Sequence, residues 1–252
     1  MNNRNYLICL FVIVFILFDV KFINSQSPSW TIYNPSNSGL PSNHVKSLCI
    51  ESNGIKWAGT WGAGLAKFDG TNWTTYNTSN SGIPWNYVYA IAIDGSGNKW
   101  IGLEFGGLAK FDGTNWTIYT SSNSGLPFNG IGAIAIESGN IIWIGTVFYG
   151  GSGAGLAKFD GTTWTVYNTA NSGLPDNSIH SITIDANGDK WIGTNGGIAK
   201  FDGTNWAVYN TSNSGIPANS VYAIAIDLNG DKWIATGGGG VAKCNASVET
   251  GI

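Results

Sequence analysis

Charge, methionine and cysteine are scarce in this chain of 252 residues. Charged side chains make up 11% of it and the formal net charge is −3, so the sequence has no basic footprint for nucleic acid and no polybasic patch for anionic lipid. We therefore expect neither as a partner. Glycine, in contrast, occurs 36 times and tryptophan 12 times. Few charges with many turn formers and aromatic residues predict an all-β protein of many short strands.

The three cysteines follow neither a zinc-site nor a redox-pair spacing. Cys9 lies in an N-terminal apolar run, whereas Cys49 and Cys244 each replace an ordinary residue of the repeat described below. We interpret Cys49 and Cys244 as small buried apolar side chains, and a disulfide between them is the alternative. No cofactor is predicted.

Long apolar runs are missing except at the N-terminus. The run from Tyr6 to Phe18 follows Arg4 and contains 13 residues. This length fits the core of a signal peptide and falls short of the roughly 20 residues that a membrane-spanning helix needs. We predict a signal peptide over residues 1–25, and hence a secreted, periplasmic or cell-surface protein without a membrane insertion after cleavage. An uncleaved anchor is the alternative.

A segment similar to Trp-Thr-Ile-Tyr recurs five times along the chain. It begins at Trp30, Trp73, Trp116, Trp164 and Trp206, so the repeats are spaced by 43, 43, 48 and 42 residues. Between two such segments lie, in fixed order, a Ser-Gly-Leu/Ile-Pro-x-Asn stretch, an apolar run, Lys-Trp-Ile-Gly and Gly-Leu-Ala-Lys-Phe-Asp-Gly. Self-similarity at this period indicates a repeat architecture.

Each repeat predicts four strands, which we call a, b, c and d. In the second repeat, strand a is the apolar run Val88–Asp94, b lies in Lys99–Gly102, c in Gly107–Phe111 and d in Trp116–Tyr119. Glycine, aspartate and asparagine between a and b, and Asp-Gly between c and d, are typical of tight hairpins. Four short strands in about 43 residues is the period of a propeller blade.

The positions of the first and last strands predict a closed ring. The mature chain begins with an isolated strand d at Trp30–Tyr33 and ends with isolated strands a, b and c over Val221–Cys244. Pairing of the two ends would complete a fifth blade. We therefore predict an all-β, five-bladed β-propeller over residues 26–244, with four antiparallel strands per blade, and a short tail over 245–252. An open solenoid or a fragment of a longer ring is the alternative.

The segments Gly97–Gly102 and Gly107–Asp112, which recur over Gly188–Asp202, resemble the two-component regulator propeller repeat. The resemblance implies an extracytoplasmic recognition module related to the sensor domains of bacterial two-component systems, several of which respond to carbohydrates. This sequence has no membrane helix, kinase or receiver domain after the propeller and fewer blades than the usual sensor, so the resemblance does not extend to direct signalling. The tail resembles a linker, which raises the alternative of a truncated chain.

Residues that break the repeat are the candidates for function. The b–c loops and the residue after each proline vary, and alternating strand direction places both kinds of segment on one face of the disc. Variation on one face of a uniform scaffold is the pattern expected of a binding surface. We call the aromatic residues of this face the predicted rim, and it contains Trp61, Trp85, Phe105, Phe128, Phe148 and Tyr149. The candidate ligand-binding residues add Tyr89, Glu104, Asp176 and His180.

Aromatic faces surrounded by amides and hydroxyls suit sugar rings or peptide side chains. The longest b–c loop, within Val147–Gly155, contains five more residues than the others need, which favours binding. The alternative is that these aromatic residues only cover loop backbones. We predict a non-catalytic, monomeric module that binds a glycan or a peptide, and a structural surface spacer remains an alternative.

An enzyme that acts on polysaccharide is the principal rival. It needs two carboxylates about 5–10 Å apart, and in the ring only Glu104 and Asp176 break the repeat pattern of acids. They belong to blades that are not neighbours. His180 is isolated from any nucleophile pattern. The Asp185–Asp189 and Asp227–Asp231 segments resemble calcium loops but lack the bidentate glutamate, so we interpret them as hairpins and predict no metal.

Overall fold

The structure is a computed structural model that describes residues 29–147 and 152–245. The chain separates into two units, residues 1–32 and a compact unit from Tyr33 onward. All the sheets belong to the compact unit. The predicted signal peptide at 1–25 and most of the predicted tail lie outside the described residues. Within the described ranges, no helix is long and apolar enough to cross a membrane.

The described residues form five antiparallel sheets, which we number 1 to 5 in chain order. Sheet 1 contains β1 (Val45–Ile50), β2 (Lys56–Thr60), β3 (Leu65–Phe68) and β4 (Trp73–Tyr76). Sheet 2 contains β5 (Val88–Ile93), β6 (Lys99–Leu103), β7 (Leu108–Phe111) and β8 (Trp116–Tyr119). Sheet 3 contains β9 (Ile131–Glu137), β10 (Ile141–Thr146), β11 (Leu156–Phe159) and β12 (Trp164–Tyr167).

Sheet 4 contains β13 (Ile179–Ile184), β14 (Lys190–Thr194), β15 (Gly197–Phe201) and β16 (Trp206–Tyr209). Sheet 5 contains β17 (Val221–Ile226), β18 (Lys232–Thr236) and β19 (Gly240–Cys244). The 3-10 turn Ser138–Asn140 connects the two strands of the a–b hairpin in sheet 3. The prediction of four antiparallel strands per repeat is therefore confirmed for sheets 1 to 4.

Sheet 5 differs from the prediction because it has three strands in the described part of the chain. Trp30–Tyr33, expected as its fourth strand, is not assigned to a strand, and the side chains of Trp30 and Ile32 are mostly exposed. In the other sheets, strands c and d are joined by a hairpin of a few residues. Trp30–Tyr33 and β19, in contrast, are separated in sequence by almost the whole repeat array. Such long-range pairing has a much larger loop-closure cost. The five sheets fit a five-bladed propeller, and closure of the ring is not shown.

Consecutive sheets contact one another through their strands a, and an apolar core fills each junction. At the first junction, Trp57 and Leu65 of sheet 1 pack with Val88, Ile101 and Phe111 of sheet 2. The equivalent residues form the cores of the next junctions. Each sheet thus buries its faces against its neighbours, as the repeat architecture requires.

The acids that end strand a have a structural role in every sheet. In sheet 2, Asp94 Oδ2 accepts the indole N–H of Trp100 at 2.9 Å, and Asp94 Oδ1 accepts the backbone N–H groups of Ser96 and Asn98. Burial opposes ionisation of this carboxyl group, but these hydrogen bonds outweigh it and lower the pKa of Asp94. Asp94 is therefore a turn residue.

Candidate functional site

Every strand a carries a β-bulge near its first residue. The bulge leaves one residue outside the regular pairing with strand b, and bulges often redirect a side chain next to a functional site. The residues at this position are Lys46, Tyr89, Gly132, His180 and Tyr222. The backbone feature is thus common to all five sheets, while the side chain that it presents differs.

The b–c loops lie directly against the d–a connections, as predicted from strand direction. Trp61 N–H donates to His44 C=O at 2.9 Å, and Gly64 N–H donates to Asn86 C=O at 2.8 Å. In sheet 2, Glu104 N–H donates to Tyr87 C=O at 3.1 Å. These backbone hydrogen bonds fix each loop to the start of a strand a, so the side chains of both segments share one surface.

Five aromatic side chains of sheets 1 and 2 form a continuous group on this surface, which we call the aromatic cluster. The Trp61 ring centroid lies 5.5 Å from that of Tyr87 and 5.4 Å from that of Tyr89. The Trp85 centroid lies 6.1 Å from that of Tyr87 and 5.7 Å from that of Phe105. Edge and tilted contacts of this kind stabilise aromatic pairs and hold the rings in fixed orientations.

The cluster is accessible and carries a positive charge at one end. Trp85 is 38% exposed and Phe105 is 45% exposed. Lys46, at the bulge of sheet 1, places its Nζ 4.5 Å from the centroid of the Trp61 ring. A shallow cavity beside this pair is lined by Asn43, His44, Val45, Lys46 and Trp61. The arrangement offers flat apolar faces next to a cation, amides and backbone, which is the composition of a ligand-binding surface.

Two residues of this surface, Lys46 and Tyr87, were not among the sequence candidates. Lys46 occupies a position where the other repeats have tyrosine, glycine or histidine. Tyr87 follows the asparagine of its Pro-x-Asn stretch, and the other repeats have histidine, glycine or serine at that position. Comparison of the repeats at these two positions would have identified them. The residues of the predicted rim came from the b–c loops and from the residue after each proline, and Lys46 and Tyr87 lie outside those segments.

The remaining candidates lie elsewhere on the sheets. His180 Nε2 lies 2.9 Å from Asn195 Oδ1, and the His180 ring packs edge-on against Tyr222 at 5.2 Å. Asp176 Oδ1 accepts the backbone N–H of Ser178 at 2.7 Å. In the first connection, Ser42 Oγ has the same role, so Asp176 acts as a turn residue.

Phe128 and Glu104 are half-buried. A Cβ on Gly130 would come within 2.9 Å of Phe128 Cε1, so this ring lies against the glycine backbone. Phe148 and Tyr149 of the predicted rim lie outside the described residues. The structure therefore unites Trp61, Trp85, Tyr89 and Phe105 in the aromatic cluster. Asp176 serves its own turn, and His180 contacts Asn195 and Tyr222.

The segments that resemble calcium loops use their carboxylates within the protein. Asp189 Oδ2 lies 3.0 Å from Lys200 Nζ, and Asp231 Oδ2 lies 2.6 Å from Lys243 Nζ. Across residues 29–147 and 152–245, no group of three or more metal-binding side chains comes together. Cys49 and Cys244 are each half-buried and are not joined by a disulfide. Burial raises the pKa of the Cys49 thiol, which suits a packing role.

Comparison with known proteins supports the assignment of the repeat. Residues 173–196 match the family model described as two component regulator propeller. No curated protein matches the chain. Among solved structures, the extracellular domain of the hybrid two-component system BT3049 from B. thetaiotaomicron is similar at 26% identity and a TM-score of 0.69. The match covers 82% of this chain and 27% of that one, so the chain spans about a quarter of its length.

Two further structures share the fold. PorZ, a surface component of the type-IX secretion system of Porphyromonas gingivalis, aligns at 20% identity and a TM-score of 0.61, over 81% of this chain and 34% of that one. A GH74 enzyme, AFV00434, aligns at 19% identity and a TM-score of 0.63, over 87% of this chain and 32% of that one. These likenesses show fold alone, because enzymes and non-enzymes share it. Residues 173–196 thus carry the two-component regulator propeller repeat, and the five sheets fit the blades of a β-propeller.

Proposed function

We propose that this chain is an extracytoplasmic recognition module that binds a carbohydrate or a peptide through the aromatic cluster, without catalysing a reaction. The observation that carries the proposal is the concentration of five aromatic rings and Lys46 on the loop face of sheets 1 and 2. The corresponding positions of sheets 4 and 5 hold mainly glycine, asparagine, serine and alanine. The extracytoplasmic location is supported by the similarity to an extracellular sensor domain.

The geometry of the cluster suits a ligand that presents a flat or apolar face. Trp85 and Phe105 expose part of their rings, while Tyr87 packs against Trp85 and keeps it oriented. A sugar ring or an apolar peptide side chain can stack on such a surface at little cost in conformational entropy, because the aromatic side chains are already ordered. The Lys46 ammonium would favour an acidic or strongly polar substituent on that ligand.

The proposal that the module is non-catalytic rests on the carboxylates. Asp176 already accepts a backbone hydrogen bond within its turn, and the repeated acids bind indole N–H groups, backbone N–H groups or lysines. Glu104 is the remaining carboxylate that breaks the repeat pattern. A glycosidase needs a matched pair of such groups.

A glycan array and a peptide pull-down with the mature chain test this function. We expect a ligand whose Kd rises at least about 10-fold in Trp85→Ala. An aromatic side chain that becomes buried against a ligand commonly contributes that much to the affinity. Tyr222→Ala is the matched control, because Tyr222 is an exposed aromatic residue on the same face of sheet 5 and lies outside the cluster. Equal affinities of both variants would contradict the cluster as the site. Polysaccharide turnover that is lost in Glu104→Gln would instead support an enzyme.

We also propose that the five sheets close into a ring, with Trp30–Tyr33 as the fourth strand of sheet 5. The support is the unfilled edge of that sheet. A cavity of about 250 Å³ lies beside β19 and is lined by Trp191, Tyr209, Ile216, Ala242 and Cys244, among others. Gly215 at this edge has nothing within 4 Å of its Cβ position, whereas Gly82 faces the strand-d residue Trp116. The sequence of Trp30–Tyr33 is identical to that of β8.

A further inference from the structure

A lysine at the start of strand b joins neighbouring sheets. Lys99 Nζ of sheet 2 lies 3.1 Å from Glu51 Oε1 at the end of strand a in sheet 1. The same Nζ lies 5.0 Å from the ring centroid of Trp57, the tryptophan whose indole N–H binds Glu51. One lysine thus contacts both a carboxylate and an aromatic face of the preceding sheet, and Lys99 is itself buried.

The same junction recurs further along the array. Lys190 of sheet 4 lies 3.3 Å from Glu137 and 5.1 Å from the Trp143 ring of sheet 3. Lys232 of sheet 5 repeats the arrangement on sheet 4, and it is also buried. The junction between sheets 2 and 3 differs because isoleucine replaces this lysine, and there Asn140 Oδ1 accepts the Gly95 N–H at 2.9 Å.

Aromatic contacts form the second part of each junction. At the first junction, the Trp57 ring packs edge-on against Phe111 of sheet 2 at 6.2 Å and stacks on Tyr76 of its own sheet at 5.8 Å. Tyr76 contacts Phe111 at 5.3 Å and Trp116 at 6.1 Å. The next two junctions repeat these distances within about half an ångström.

Sheet 1 is the first sheet of the array, and we call its face away from sheet 2 its outer face. This face carries one half of such a junction. Lys56, the equivalent of Lys99, is exposed. Tyr33 lies 5.2 Å from Phe68 and 5.8 Å from Trp73, just as Tyr76 lies on the equivalent residues of sheet 2. Tyr33 therefore occupies the place of a strand-d tyrosine from a preceding sheet.

Sheet 5 carries the complementary half. Asp227 Oδ2 accepts the indole N–H of Trp233 at 3.1 Å, as Glu51 accepts that of Trp57. Trp233 is 44% exposed and Val241 is 66% exposed, although the equivalent residues of sheets 1 to 4 are buried. The two outer faces thus have complementary charge and complementary aromatic surfaces.

We propose that these two faces bind each other within one chain, with Lys56 paired to Asp227 and the Trp233 ring held between Tyr33 and Phe68. The inference rests on the ring closure proposed above and is independent of any ligand. The three lysine junctions between neighbouring sheets show how such faces pack. Lys56 and Trp233 are exposed, and their equivalents at those junctions are buried. Tethering within one chain gives the two faces a high effective concentration, which favours closure over association with a second copy.

A charge-swap cycle on the full mature chain tests the contact. Lys56→Glu is expected to lower Tm by about 5 °C, the size of effect that loss of a partly buried ion pair has in a domain of this length. Combination with Asp227→Lys should restore at least half of that loss. Lys99→Glu with Glu51→Lys is the matched control pair, since its contact is present in the structure. The coupling between the two substitutions is the readout, because Asp227→Lys alone also removes the bond to Trp233.

Sedimentation and small-angle scattering separate the possible outcomes. Coupling between Lys56 and Asp227 in a compact monomer at all concentrations supports the proposal. Coupling that appears only with concentration-dependent mass would assign the contact to a second copy and overturn it. A compact ring without coupling would overturn this contact and leave ring closure intact, whereas an open, elongated monomer without coupling would overturn both.

Discussion

Strands β5 and β17 have the same sequence, Val-Tyr-Ala-Ile-Ala-Ile, and very different surroundings. In β5, the first residue and Ala90 are buried and the others are half-buried. In β17, Tyr222 is 56% exposed and two further residues of the strand are also exposed. The two strands form the same hairpin with the same bulge, so local sequence determines their conformation.

The difference between these strands comes from their neighbours. Strand β5 lies between β1 and β9, whereas β17 contacts β13 on one side. Burial in a repeat array is therefore a property of position, because each sheet obtains its apolar contacts from the sheets beside it. Substitutions at equivalent positions of inner and outer sheets measure how much of the stability each junction contributes.

The largest effect is expected for a leucine of an inner sheet. Leu108 is fully buried, and Leu108→Ala should lower the free energy of unfolding by about 2–4 kcal/mol through lost burial and a residual cavity. Val241, its equivalent in sheet 5, is 66% exposed. Ring closure predicts a cost of about 1 kcal/mol for Val241→Ala as well. Denaturant unfolding measures both, and no cost for Val241→Ala would contradict closure.

An intermediate effect is expected where a glycine faces a tryptophan. A Cβ on Gly82 would lie 2.8 Å from Trp116 Cβ, so Gly82→Ala should cost about 1–3 kcal/mol through overpacking. The equivalent Gly215 has no atom within 4 Å of its Cβ position. If Trp30 fills this place in the closed ring, Gly215→Ala will lower Tm about as much as Gly82→Ala. A Tm unchanged by Gly215→Ala would mean that the edge of sheet 5 stays open.

The smallest effect concerns pH and applies to the c–d hairpins. Backbone N–H groups of Asn205 and Thr204 bind the Asp202 carboxylate and lower its pKa to about 2. Because the pKa is lower in the folded state, this carboxylate stabilises the fold above its unfolded pKa of about 3.9. That contribution is lost as the pH falls from about 4 to about 2.

Thermal melting at pH 5 and pH 2.5 checks this contribution. Asp202→Asn keeps an oxygen acceptor and removes the titration, so its Tm should fall slightly less between the two pH values than that of the wild type. An identical fall in both proteins would show that the Asp202 hairpin does not contribute. Asp69, Asp112 and Asp160 form the same hairpin hydrogen bonds in sheets 1 to 3 and remain unchanged in the variant.

Much of the fold could be predicted from the sequence because the repeat supplies five independent examples of each segment. The strand order, the Asp-Gly hairpins and the structural role of acids such as Asp94 all follow from local patterns. The pairing of Trp30–Tyr33 with β19 stays a prediction. No local signal connects two segments that lie at opposite ends of the array, and the structure leaves this pairing open.

The candidate site was predicted in part. Trp61, Trp85 and Phe105 come together because the variable loops share a face, which strand direction alone implies. Lys46 escaped notice because a bulge is invisible in an alternating apolar pattern, and it turns a strand residue toward the loop surface. Tyr87 escaped notice because it lies between the residue after the proline and the strand. His180 was predicted as a ligand-binding residue, and its contacts are with Asn195 and Tyr222 rather than with the aromatic cluster.

The bulge has a consequence for how new specificities could arise in such proteins. Lysine, tyrosine, glycine and histidine all occupy it in this one chain without altering the strands around it. Under the proposed function, a mutation there would change what the surface binds while the hydrogen-bonded ladder stays the same. Natural variation, or a designed library confined to these five codons, can therefore explore different targets with little risk to folding.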